Sequence, residues 1–448
     1  MNSTLIKNAK IVNESRIQEV DIRITGQRIE RIEPELKANP NDNVIDAKGL
    51  YLLPGMIDDQ VHFREPGLAT KGTIATESRA AVAGGITSFM EMPNVIPATT
   101  NMQAIKHKMD IAHKSSLANY SFYLGATNNN LEDIKRIDPT QVCGVKVFMG
   151  ASTGNLLVDN PKALEDIFQQ SPVLIATHCE DNETIKKNLN RLKKILPERE
   201  WQAKHHPIIR NADACYASSS YAVGLAQRFN ADLHVLHLTT EKELSLFTAG
   251  KIDTKKITAE ACVHHLWFND KDYEYLGNFI KCNPAIKSEK DRQALIKAIN
   301  DDVIDIIATD HAPHTKNEKN QPYSQAPAGL PLVQHALLSL LEQVHNGVFS
   351  LEKIVEKVCH NPAKRYAIKE RGFIKEGYFA DLVLVDLDAH PNIIDNKLYY
   401  QCQWSVFENY QFKSKIKTTF VNGVRVFDND CLFQGDTPAQ PLYFQRKK

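Results

Sequence analysis

The sequence predicts an α/β protein: a (β/α)8 barrel of TIM type between two β-rich ends. Three observations predict it. The middle, residues 55–365, alternates short apolar runs with helical stretches about eight times. The two ends, 1–54 and 366–448, are rich in strand patterns. Polar side chains able to bind a metal recur at the C-terminal ends of the central apolar runs, where a parallel barrel gathers its active site.

The elements follow in order. Leu5-Ile6 and Ile11-Val12 bracket a polar Lys7-Asn8 and read as short strands; Val20, Ile22 and Ile24 alternate with polar residues. Ile29 and Ile32 follow a turn at Gly26, and Val44-Ile45-Asp46 leads into YLLPGMID. The barrel strands are read at 55–58, 86–92, 120–126, 144–150, 173–180, 232–239, 256–262 and 305–312, with helices between them at 73–84, 160–169 and 212–229. No G-x-G-x-x-G follows an early strand, which counts against a doubly wound open sheet. Near the end, 380–386 reads as a strand and 418–427 as a hairpin with Asn422-Gly423 at its tip.

Composition narrows the function. The 448 residues are 42% apolar and 24% charged, with Lys plus Arg and Asp plus Glu both at 54. That balance lacks the basic excess of a dedicated nucleic-acid binder. No apolar run approaches the ~18 residues of a membrane span. The first residues show no signal-peptide pattern, so a cytoplasmic protein is expected. Eight scattered cysteines without C-x-x-C read as reduced thiols.

The strand ends carry Gln60 and His62, Asn94, Lys146, His178, His237 and Asp310. Imidazoles with a carboxylate suit Zn²⁺ or a similar ion. Burial favours a neutral amine on Lys146, and such an amine reacts with CO₂ to a carbamate able to bridge two metals. A metal-activated hydroxide with Asp310 as acid/base would hydrolyse, or close, an amide. Arg64 lies two residues after His62, on the same face if the segment is extended, and is suited to a carboxylate. Asn283 and His314 add an amide and a titratable ring. The expected ligand is a small anion with amide or ureido groups. The polar segment 315–326 is expected to act as a mobile lid.

The segments PGMIDDQVHFREPG, MPN, GVKVFMGASTGN, ATHCED, HLTT, AEACVHHL, NPAIKSE and ATDHAPH resemble the amidohydrolase superfamily and, within it, the dihydroorotases, along essentially the whole chain. The narrower likeness rests on Arg64, a position where allantoinases tend to have Asn and hydantoinases an acidic residue. The resemblance implies reversible cyclisation of N-carbamoyl-L-aspartate to (S)-dihydroorotate, in pyrimidine synthesis. It implies one or two Zn²⁺ held by His62, Lys146 as N6-carboxylysine, His178, His237 and Asp310. It also implies a small β-sandwich domain formed by both ends of the chain, substrate contacts at Arg64, Asn94, Asn283, His314 and the stretch Ala326–Gly329, and a homodimer. One position departs: the first histidine of H-x-H is Gln60, a weak ligand at best. Asp59 should face away from Gln60, and Asp58 towards its side. Three readings stand open: two metals with one weak ligand, one metal held mainly by His178 and His237, or a non-catalytic homologue that stabilises a partner enzyme. Another cyclic amidase, of allantoinase or hydantoinase type, is the further alternative.

Overall fold

Every central apolar run is a strand in the structure, a computed structural model that describes residues 3–150, 155–389, 397–433, 435 and 438–446. Part of the GVKVFMGASTGN motif, 151–154, lies outside the described residues. The barrel strands are Met56–Val61, Ile86–Glu91, Asn119–Phe122 continued by Leu124–Gly125, Val145–Phe148, Ile175–His178, Leu233–Val235, Ile257–Cys262 and Ile306–Ala308. They are numbered here first to eighth. Successive neighbours pair in parallel. The circle closes where Val61 bridges His311 and the His62 amide donates to the His311 carbonyl at 2.7 Å.

The helices begin where their caps are written. Thr73 caps Ile74–Ala83 with Thr76 in a reciprocal box, and Asn160 with Pro161 starts Pro161–Gln170. Asn211 caps Ala212–Phe229, which ends on a left-handed Asn230. Among the described residues, no helix is long and apolar enough to cross a membrane.

The two ends meet in one nine-stranded sheet, where Tyr51–Pro54 pairs antiparallel with Leu382–Asp386. It has a core of its own, including Ile6, Ile22, Leu52, Leu382 and Phe420. The two short strands read at 5–6 and 11–12 are a single strand, Ser3–Asn13, bulged between Ile6 and Ala9. The polar pair Lys7-Asn8 marks that bulge, with Asn8 left-handed at φ 60°. The hairpin forms as expected, Lys415–Val421 against Val424–Asp428, with Asn422 and Gly423 both at positive φ. A Cβ on Gly423 would stand 2.2 Å from the Gly26 carbonyl oxygen, so the tip needs glycine.

Candidate active site at the barrel mouth

The C-terminal ends of the strands open on a cavity of about 620 Å³. Of the twelve residues singled out from the sequence, eleven line it; Ala326 does not. Ala326 turns its carbonyl to the Lys281 ammonium, 2.6 Å away, and Pro327, Ala328 and Gly329 form the wall instead.

Three of the site residues have left-handed backbone: Arg64 at φ 72°, His237 at 41° and Asp310 at 50°. A non-glycine residue there carries roughly 1–3 kcal/mol of strain, which persists only where the surroundings impose it. Arg64 is therefore not part of an extended run. The even spacing from His62 does not place it; the left-handed turn does. The parity reading of Asp59 also fails. The first strand shifts register between Asp58 and Val61, so alternation breaks at this point. Asp59 faces into the barrel, where Tyr366 donates to its Oδ2 at 2.9 Å. Asp58 accepts from the Thr309 hydroxyl at 2.6 Å, so neither aspartate takes the place of the missing imidazole.

His178 and His237 face one another, Nδ1 to Nε2 at 2.9 Å. Burial lowers the His178 pKa and pushes that of His237 well down, so both rings present the neutral, ligating form. The other His178 nitrogen, Nε2, meets Glu180 Oε2 at 3.0 Å, and Arg210 donates to the same oxygen at 2.5 Å. Burial alone would raise Glu180, but Arg210 and His178 outweigh it and hold it at about 2. A carboxylate behind a histidine fixes the ring's tautomer and direction.

On the opposite wall, His62 Nε2 lies 3.0 Å from Asp310 Oδ1, and its Nδ1 lies 2.6 Å from Asn94 Oδ1. Gln60 donates its side-chain amide to the same Asp310 oxygen at 3.2 Å. Lys146 is 1% exposed, and burial brings its pKa down to about 8 despite Asp310 and Glu260 nearby. Two neutral imidazoles, a third imidazole, a depressed lysine and a carboxylate form a donor set suited to a zinc-type ion.

The substrate wall is cationic. Arg64 donates to the Pro313 carbonyl at 3.1 Å and contacts His314 Nε2 at 3.1 Å. It has no carboxylate in ion-pair range among the described residues, and burial brings its pKa down to about 10. Burial, then the charges of Arg64 and Lys71, keep His314 neutral. Asn283 Oδ1 lies 3.0 Å from His206 Nε2.

Sequence reasoning passed over Glu180, Arg210, Lys71 and His206. Glu180 had a signal, since it follows His178 by two. Lys71 Nζ reaches His314 Nδ1 at 3.1 Å from a loop, and no spacing announces it. The expected lid is fastened. Lys319, buried, donates to the carbonyls of Lys281, Pro327 and Gly329, and the Tyr323 hydroxyl bonds His206. Segment 315–326 contributes nothing to the cavity wall.

A closed parallel barrel with histidines, a lysine and an aspartate at its strand ends defines the class of metal-assisted barrel hydrolases. The chain belongs to the amidohydrolase family, whose model matches residues 51–426. A dihydroorotase of Methanosarcina mazei is 32% identical over 417 residues, covering 90% of each chain. A dihydroorotase of Halobacterium salinarum is 33% identical, covering 92% of this chain and 94% of the other. Among solved structures, an L-hydantoinase from Arthrobacter aurescens superposes with a TM-score of 0.91 at 24% identity, over 99% of this chain and all of its own. At that identity the likeness shows the fold.

Proposed function

We propose that the chain is a dihydroorotase, interconverting N-carbamoyl-L-aspartate and (S)-dihydroorotate, with 55–365 as its catalytic unit. The observation that carries this reading is Arg64: a buried guanidinium on the cavity wall with no carboxylate partner among the described residues. A buried unpaired cation is costly, and an anionic substrate offsets that cost. The dihydroorotase relatives support the same substrate.

Each residue has a part. Arg64 takes the ring carboxylate, oriented by Pro313 and His314. Asn283 and the backbone around Gly329 meet the ring's amide edge. Asn94 spends its oxygen on His62 and keeps its NH₂ for substrate. Asp310 takes a proton from the attacking water and gives it to the departing ring nitrogen; the reverse course closes the ring. His62 and Gln60 both converge on Oδ1 of Asp310 and aim the carboxylate. His178 and His237, with Lys146 as its carbamate, His62 and Asp310, would hold one or two Zn²⁺. When bound, such an ion would supply Lewis-acid polarisation of the carbonyl and a lowered pKa for water. Gln60 makes the His62 side the weaker of the two.

Gln60 alone would favour a non-catalytic homologue. The remaining acid/base, amine and imidazole positions stand together in one cavity, which favours an enzyme. The test is turnover of dihydroorotate by purified protein supplied with zinc and bicarbonate. Asp310→Asn should lower kcat by about 10²–10⁴-fold. No turnover by the unmodified protein under these conditions would reject the reading.

A further inference from the structure

Below the cavity floor, three polar side chains from distant strands converge inside the barrel. Asp59 is on the first strand, His234 on the sixth and Glu260 on the seventh, and none has any solvent exposure. The first and sixth strands are not neighbours, so Asp59 and His234 meet across the interior. His234 Nε2 lies 3.4 Å from Asp59 Oδ2 and 3.6 Å from Glu260 Oε2. One ligand atom from each residue lies within 4.8 Å of the other two. Among the described residues, His234 Nε2 and Glu260 Oε2 have no partner at hydrogen-bond geometry.

These separations are too long for charge-assisted hydrogen bonds, which close to ~2.7–2.9 Å. They are the right length for the edges of a coordination polyhedron. Zn–N and Zn–O bonds of ~2.0–2.2 Å at tetrahedral angles put neighbouring ligand atoms about 3.3–3.6 Å apart. Two carboxylates with a neutral imidazole balance a divalent cation; without one, burial raises Glu260 to about 7, and His234, despite burial, is raised by Asp59 and Glu260 to about 9, so protons stand in the cation's place. The supports are also in place. Thr258 Oγ1 holds His234 Nδ1 at 2.8 Å, and Tyr366 donates to Asp59 Oδ2.

We propose that Asp59, His234 and Glu260 form a metal site of their own for a zinc-type divalent ion, structural in role and separate from the cavity donors. The position next to it is Gln60, so the chain has an amide at the mouth and a carboxylate one layer beneath. The floor is tied to this site, because Glu260 Oε1 accepts from the His237 backbone amide at 3.1 Å. The inference stands whatever the cavity binds.

The experiment strips the cavity first. His178→Ala/His237→Ala, purified from zinc-supplemented growth and dialysed against EDTA, should retain about one equivalent of zinc per chain, shielded by burial. Adding Asp59→Asn should remove it. A stripped protein without zinc would overturn the proposal. Should a variant not fold, anomalous diffraction at the zinc edge on the unmodified protein decides. A peak among the three side chains supports the site. Its absence overturns the proposal and leaves a proton on His234 as the cation there.

Discussion

Glu180 shows how much of the site depends on a residue that touches no substrate. It receives His178 on one side and Arg210 on the other, and both contacts fix where the His178 lone pair points. Glu180→Gln should weaken zinc binding about 10–100-fold. Competition with a chromophoric chelator reads this directly, and unchanged affinity would remove Glu180 from the metal's support. The site residues were legible because five of the eight strands carry, in them or just after them, a side chain too polar for packing: His62, Lys146, His178, His237, Asp310. Asp59 was misread because alternation holds only in a regular strand, and the register shift falls between Asp58 and Val61. Ala326 was carried over by likeness, and only the path of the backbone shows that the wall begins one residue later.

At the scale of elements, the stretch after the eighth strand is held by one buried lysine. The Lys319 ammonium meets three carbonyl oxygens, yet burial brings its pKa down to about 7 from 10.5. Between these values the unfolded chain binds a proton that the folded chain lacks. Stability therefore rises with pH across that window, and below pH 7 the full penalty remains. Relative to Lys319→Met, the unmodified protein should gain about 1–3 kcal/mol between pH 7 and pH 9. Urea midpoints of the two proteins at both pH values measure it, and parallel behaviour would contradict it. Polarity and proline marked 315–326 as an exposed loop but did not show what its lysine and tyrosine reach.

Across the whole molecule, a polar cluster around Asp381 ties the terminal sheet to the barrel. Asp381 pairs with Arg371, accepts from the Asn422 amide at 2.7 Å, and receives the Asn119 side chain at 3.2 Å. Asn119 opens the third barrel strand, and Asn422 is the hairpin tip. Asp381→Ala leaves Arg371 buried and unpaired and should cost about 3–5 kcal/mol in urea unfolding, with kcat of the folded fraction unchanged. Leu442 and Phe444 then close the barrel from the far end, in one cluster with Ile57, Tyr123 and Ile306. Their burial is worth roughly 1.5–3 kcal/mol each. The barrel and the β-rich ends were legible from periodicity and the Asn-Gly turn. The cross-connections were not, since Asn119 and Asp381 are 262 residues apart and no local pattern links them.

The account rests on an anionic ring held by Arg64, and one comparison tests that most directly: kcat/KM for dihydroorotate and for neutral hydantoin, in the unmodified protein and in Arg64→Met. The unmodified protein should prefer dihydroorotate. The variant should lose about 10–150-fold on it, the worth of a charged hydrogen bond, with little change on hydantoin. A preference for hydantoin in the unmodified protein, or a variant that still turns over dihydroorotate at full rate, would contradict the account.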